Sequence, residues 1–339
     1  MRIVGRTLLV IAILGLAAWA ALASYFGPLR ATSMAGVIAA GGVLAAVSAV
    51  LPRVRWWPLA LFATVFLAFL VRWQGVRPSN DRDWQPDVAV LPSATFDGDA
   101  VTVHDIRNFD YRSETDFTPR YYDKTFDLRQ LESVDVIAAY WMGDAIAHIM
   151  VSFGFAEHDF LTVSIETRKE RGETYDTVKG FFRQYELIYV VGDERDLIRL
   201  RTNYRKDPPE DVFLYRTNAP PENVRRLFRD YFREINELKD QPKFYNTMTT
   251  NCTTNVLMHT RVNGRHPFSW KILLSGYAPL YVYEHGRLDG GLPFEELKRR
   301  SHINAAAQAA DLAADFSQRI RAGLPKPPAR NAPGSVKMK

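Results

Sequence analysis

Three uncharged stretches near the N-terminus constrain this chain more than any other feature. Thr7 to Leu29 and Ala31 to Pro52 are each long enough to cross a hydrocarbon core of roughly 30 Å at about 1.5 Å per residue. Trp56 to Val71 is shorter, but Arg55 and Arg72 can snorkel past its ends and Trp56-Trp57 suits a membrane interface. Three membrane helices are therefore expected within residues 1–73. A cleaved signal peptide ending near Ala21-Leu22-Ala23 is the alternative for the first of them. Two further apolar segments follow it, so the chain is integral to a membrane either way.

Arg2, Arg6, Arg53 and Arg55 outweigh the single Arg30 in the opposite loop, which places the N-terminus in the cytoplasm and everything after the third helix outside. Arg72, Arg77 and Arg82 oppose that assignment, with Asp81, Asp83 and Asp87 among them. The formal net charge of +5 misleads about partners. Residues 83–320 hold 30 basic and 37 acidic side chains, so the globular part is mildly acidic and nucleic acid is not an expected ligand.

After the membrane segments, residues 74–102 are rich in Pro, Asp, Ser and Gly and read as a linker. A folded domain is expected over 103–320, and residues 321–339, basic and Pro-rich, read as a disordered tail. Strand-like text runs from Val134 to Trp141, Ala145 to Phe155, Phe160 to Thr167, Tyr185 to Val191, Asp196 to Thr202 and Val212 to Arg216. Helices follow. Val224, Leu227, Phe228, Tyr231 and Ile235 share one face of a helix over Glu222 to Leu238. Another starts near Cys252 with Asn251 or Thr250 as cap, and Ser301 to Ile320 reads as a third. Strands in one run with helices behind them predict an α+β domain with a mostly antiparallel sheet.

Cys252 is the chain's one cysteine, so no intramolecular disulfide can form. It is either an inert buried thiol or a reactive one. The polar text Asn251-Cys252-Thr253-Thr254-Asn255 favours reactivity. A first helical turn offers a positive dipole end and unpaired N–H groups, which stabilise a thiolate and can hold an oxyanion. A nucleophilic thiol needs a base, and the domain offers His104, His148, His158, His259, His266, His285 and His302.

His148 is the best placed of these. Strand alternation puts it with Met150 and Ser152 on one face, and puts Phe160, Thr162, Ser164 and Glu166 on the polar face of the next strand. A hairpin centred on Glu157 would set Glu166 opposite His148, where a carboxylate can orient an imidazole. A cross-strand ion pair at a sheet surface is the alternative. Ser164, Asn251, Thr253 and Arg168, the last in the charge run Glu166 to Arg171, are the candidate substrate contacts. No spacing suggests a metal site or a bound cofactor.

A histidine strand, a carboxylate on the next strand and a later Asn-Cys helix resemble the permuted papain-like (NlpC/P60-related) enzymes. AHIMVSFGF, SIETRKERGE, GFFRQYELIYVVGDERD, LRTNYR and YNTMTTNCTTN together resemble, more closely, the periplasmic domain family of the Lnb lipoprotein N-acyltransferases, over roughly Asp105 to Trp270. That resemblance implies a Cys252–His148–Glu166 triad that moves an acyl chain from a phospholipid to a lipoprotein amine, on the periplasmic side of a bacterial inner membrane. The named members carry this domain ahead of their membrane helices, whereas here it follows them. A peptidoglycan amidase or peptidase and a tethered, non-catalytic binding module are the rival expectations.

Overall fold

The computed structural model describes residues 2–51, 56–156, 159–264, 267, 269–288 and 291–325. The chain divides into two compact units. The first comprises residues 1–82, 173–186 and 243–247. Its helices are α1 (Arg2–Phe26), α2 (Thr32–Val50) and α3 (Trp57–Gly75). All three are long and apolar enough to cross a membrane. Small side chains let α1 and α2 approach closely: Ala17, Ala20 and Ala23 meet Ile38, Ala45 and Ala46, and a Cβ on Gly42 would collide with that of Ala17. Trp19 packs edge-on to Phe66 and Phe69 of α3. Leu8, Ile11, Val37, Leu44, Leu67 and Val71 point outward, as lipid requires. Arg53 and Arg55, used above to orient the helices, lie outside the described residues.

The second unit comprises residues 83–172, 187–242 and 248–339. Its strands are β1 (Ser93–Asp97), β2 (Ala100–Arg107), β3 (Asp110–Tyr111), β4 (Phe117–Thr118), β5 (Tyr121–Asp127), β6 (Leu131–Tyr140), β7 (Ala147–Phe155), β8 (Asp159–Arg168), β9 (Glu186–Gly192) and β10 (Asp211–Arg216). The main sheet has the order β1-β2-β9-β8-β7-β6-β10, with β5 also on β2, and β3 and β4 form a separate ribbon. β1–β2, β2–β5, β10–β6, β6–β7 and β7–β8 pair antiparallel, and β2–β9 pairs parallel. This is the α+β architecture expected of the sequence. Helices α4 (Glu194–Arg199), α5 (Pro221–Asp240) and α6 (Cys252–Thr260) follow, with shorter ones behind them.

Both faces of the sheet are covered. Ile137, Ala139, Met150, Val212 and Leu214 pack with Ile198, Ala307 and Phe316. Val136, Ala138, Ala147 and Ile149 pack on the other side with Ala278, Leu297 and Val256 of α6. The face expected to be polar and open is therefore closed: Ser152, Thr162 and Ser164 have no exposed surface.

Four further expectations change. The 74–102 stretch is not a linker throughout, because β1 and most of β2 lie before residue 103 and pair in register from Ser93↔His104 to Asp97↔Ala100. Asp196 to Thr202 is not a strand. Asp193 caps a helix there, its carboxylate accepting from the Arg195 N–H, and a π-helical turn, Leu200–Tyr204, follows. The helix expected over Ser301 to Ile320 is two short ones, Asn304–Ala310 and Phe316–Arg319, broken at Asp311, whose φ of 33° no helix accommodates. Arg321, placed in the disordered tail, is instead buried. It pairs with Asp135 at 2.8 Å and Glu194 at 2.6 Å, and its guanidinium lies 3.6 Å from the Phe160 ring centroid. Residues 326–339 of that tail lie outside the described residues.

Candidate active site

The β7–β8 hairpin sets the site. Its ladder runs from Phe155↔Asp159 to Met150↔Ser164 and stops. Continued by two residues, that register faces His148 with Glu166. The turn itself, around Glu157 and His158, lies outside the described residues. His148 Nε2 stands 2.7 Å from Ser164 Oγ and 3.1 Å from Glu166 Oε1. Ser164 donates its own proton to Glu166 Oε1 at 2.7 Å, so its oxygen is left to accept from Nε2–H. Nε2 is thereby fixed as a donor, and Nδ1 remains for the thiol. His148 and the Ile149 N–H, one residue past the last rung, both act on the Cys252 sulfur to favour its ionised form.

Cys252 opens α6, as its polar flank predicts. Asn251 caps the helix: its side chain accepts from the N–H groups of Thr253 and Thr254, while Thr254 Oγ1 accepts from the Asn251 N–H. The cap changes the expected oxyanion site. Two first-turn N–H groups are spoken for, which leaves the N–H of Cys252 itself as the donor beside the sulfur. Thr253 is buried, with its hydroxyl 3.8 Å from Sγ.

Charge then decides the state of the pair. Burial pushes His148 down, but the Glu166 carboxylate and the Cys252 thiol outweigh it, against opposition from Arg201, and the imidazole rises to about 9. Burial pushes the Cys252 thiol up, yet the charge and hydrogen bond of His148, the Ile149 N–H and Thr253 bring it below the ordinary thiol range. Burial would also raise Glu166, but His148, Arg201 and Ser164 hold it well below the usual carboxylate range. The directions of all three shifts favour a thiolate beside an imidazolium, held by a carboxylate.

Arg201 is the residue that sequence reasoning missed. It sits in the π-helical turn with 5 % of its side chain exposed, 3.0 Å from Glu166 and 3.0 Å from Glu210. Arg205 closes the chain on Glu210 at 2.6 Å. A signal existed in Leu197-Ile198-Arg199-Leu200-Arg201, where two guanidinium groups interrupt an apolar run and need buried acids.

Arg168, expected among the substrate contacts, is instead buried in the domain. It is 2 % exposed, donates to the carbonyls of Val88 at 3.0 Å and Ala89 at 2.7 Å, and lies over the Trp84 ring at 4.3 Å. It ties the segment before β1 onto β8. Ser164 and Asn251, likewise expected to touch substrate, are engaged in holding His148 and capping α6.

The other described histidines lie elsewhere. His104 pairs with Asp123, His302 with Asp211, and His285 Nδ1 with the Tyr281 carbonyl. His259 sits between Asp230 and Tyr189, 2.8 Å from each. His158 and His266 are outside the described residues.

Residues 117–276 match the family model described as the Lnb N-terminal periplasmic domain. No curated protein and no solved structure matches the chain. The matched stretch holds His148, Ser164, Glu166, Arg201 and Cys252, and leaves out the three apolar helices. Residues 117–276 are thus similar to an Lnb-type periplasmic domain over just under half of the chain, and the whole is a membrane protein that carries this stretch behind three membrane-capable helices.

Proposed function

We propose that the protein is a cysteine-dependent acyltransferase of the bacterial inner membrane, taking an acyl chain from a phospholipid and passing it to the amino terminus of a lipoprotein. The observation that carries this reading is geometric: Cys252 opens α6 beside β7, where His148 Nε2 stands 3.1 Å from Glu166 Oε1 and 2.7 Å from Ser164 Oγ. A buried cysteine with a merely structural role has no need of an ionised partner.

In the first step the Cys252 thiolate attacks the ester carbonyl, and the Cys252 N–H meets the developing oxyanion. The carbon–oxygen bond breaks as the His148 imidazolium gives its proton to the leaving glycerol oxygen. A lysophospholipid departs, and a thioester remains on Cys252. In the second step an amine attacks the thioester and His148, now neutral, takes the amine proton. The carbon–sulfur bond breaks, the amide leaves, and thiolate and imidazolium are restored. Because the resting imidazole already carries the proton, His148 acts first as an acid. Glu166 keeps it oriented and charged throughout, with Ser164 and Arg201 fixing the carboxylate.

A lipid donor is supported by the apolar side chains around the start of β7. Ser275 Oγ accepts from the Ala147 N–H at 2.9 Å and the Gly276 N–H donates to the Ala145 carbonyl at 3.0 Å. This pins beside His148 a segment that exposes Trp270, Leu273 and Leu274, and Met248 is exposed just ahead of Cys252. Such a border suits an acyl chain better than a cell-wall peptide.

The test is intact-mass measurement of the purified full-length protein mixed with phospholipid. A covalent adduct of acyl mass on Cys252, with release of lysophospholipid and discharge onto a synthetic lipopeptide with a free amino terminus, is the expected result. No adduct with lipid, together with cleavage of peptidoglycan fragments, would replace this reading with that of an amidase.

A further inference from the structure

The membrane unit contains two pieces of chain that are not membrane helices, residues 173–186 and 243–247. The longer piece lies on the ends of α1 and α3. Phe182 stacks on Phe26 with centroids 6.3 Å apart, and Arg183 lies over Trp73 at 5.1 Å while donating to the Trp73 carbonyl at 3.1 Å. Glu173 pairs with Arg30 just beyond α1 at 3.0 Å. Gly27 is required there, because a Cβ would stand 2.9 Å from the Phe182 carbonyl oxygen. These contacts hold the piece level with the helix ends, at the depth of a membrane–water interface.

Its own fold is tight. Asp176 Oδ1 accepts from the N–H groups of Val178 and Lys179, and the Tyr185 hydroxyl donates to the Thr174 carbonyl and accepts from the Asp176 N–H. The shorter piece braces it, Thr247 bonding to Thr177 and Gly180. A segment so fixed nevertheless turns Tyr175, Val178 and Phe181 outward, at 46 %, 42 % and 39 % exposure. Three large apolar side chains within seven residues are unusual on a surface facing water. The Lys179 ammonium forms no ion pair with any described residue, and Arg72 at the end of α3 is exposed and likewise unpaired among them. Aromatic and aliphatic tips flanked by cations match the upper acyl chains and phosphates of a bilayer.

We infer that residues 173–186 form an interfacial collar that seats Tyr175, Val178 and Phe181 in the lipid headgroup region of the leaflet reached by the ends of α1 and α3. The occupant is the bilayer surface, continuous with the lipid already around the helices. In sequence four residues separate the collar from β8, which carries Glu166, and Thr247 lies five residues before Cys252. The inference stands on the membrane unit alone and does not depend on the acyltransferase reading.

It is tested with full-length protein in nanodiscs of phosphatidylethanolamine and phosphatidylglycerol. Cys252→Ser removes the native thiol, and Tyr175→Cys, Val178→Cys or Phe181→Cys then receives a nitroxide label. Collision with oxygen, which concentrates in lipid, is compared with collision with a water-soluble nickel chelate. A several-fold preference for oxygen at all three positions is expected, against a preference for nickel at a label on exposed Glu132. Nickel access equal to that at Glu132 overturns the inference, and so does low access to both reagents, which would mean that the collar is covered by protein.

Discussion

His148 Nε2 lies 3.1 Å from Glu166 Oε1, two residues beyond the last paired rung of the β7–β8 hairpin, Met150–Ser164. Register thus sets the distance between base and carboxylate, and Arg201, 3.0 Å from the same oxygen, holds the carboxylate ionised. Replacing Glu166 by Gln keeps the shape and removes the charge. The imidazole should then fall from about 9, and the proton should return to the thiol. Alkylation of Cys252 near pH 6.5 should slow by about tenfold for each pKa unit that the thiol regains. A rate unchanged in Glu166→Gln would remove the carboxylate from the account.

Stability should report the ion pair as well. His148, raised on folding, contributes fully below its unfolded value of roughly 6.5, and that contribution is lost as pH rises through about 9. Cys252, lowered on folding, contributes above its unfolded value of about 8.5 and loses that as pH falls. If the folded thiol is ionised across about pH 6.5 to 8.5, the folded pair and the unfolded chain each hold one proton there and the wild-type pair adds no slope. Cys252→Ser breaks this balance. Its melting temperature should decline relative to wild type as pH rises from about 6.5 toward 8.5, by the equivalent of about 1–2 kcal/mol. Parallel curves across that window would argue against a thiolate–imidazolium pair.

Arg168 and Asn251 separate structural from chemical roles. Arg168→Ala strips donors from the Val88 and Ala89 carbonyls and should destabilise the domain by about 2–3 kcal/mol. Asn251→Ala removes the cap of α6 and should cost about 1 kcal/mol. In the Arg168 variant, the folded fraction should alkylate at the wild-type rate. Thermal melts and labelling on the same samples check both statements.

Arg321 makes a sharper stability test. Its replacement by Met leaves Glu194 and Asp135 buried together, with only Arg216 still paired to Asp135. Loss of one partner from such a cluster should cost about 3–5 kcal/mol. A chain ended after Ile320 should be destabilised as much as the point variant. A truncated protein that melts like wild type would show that this residue belongs to the tail after all.

The comparison of sequence with structure divides along physical lines. Alternation in His148–Phe153 and Phe160–Glu166 was enough to set the hairpin register, because a slip of one residue would turn every side chain over. The helical spacing of Val224, Leu227, Phe228, Tyr231 and Ile235 likewise located α5. The closure of the polar face was not legible. It depends on Arg201 with Glu166 and Glu210, and on Arg321 with Asp135 and Glu194, pairs up to 186 residues apart that no local pattern encodes. For the same reason Asp196 to Thr202 reads as a strand from sequence alone. With Arg201 paired to Glu166 and Glu210, that segment is buried on all sides as a helix. Ser93–Asp97 was hidden by its Pro- and Asp-rich neighbours, although its own text, Ser-Ala-Thr-Phe-Asp, alternates.

The central claim is that Cys252 rests as a thiolate held by His148, and thiol alkylation measured against pH tests it most directly. The full-length protein in lipid would be treated with a mild alkylator from pH 5 to 9 and the modification of Cys252 followed by mass. The account predicts rapid labelling that persists well below pH 7, and at least about tenfold slower labelling at pH 6.5 in His148→Ala. A wild-type rate that rises only around pH 8.5, as for a free thiol, or that is indifferent to His148→Ala, would contradict it.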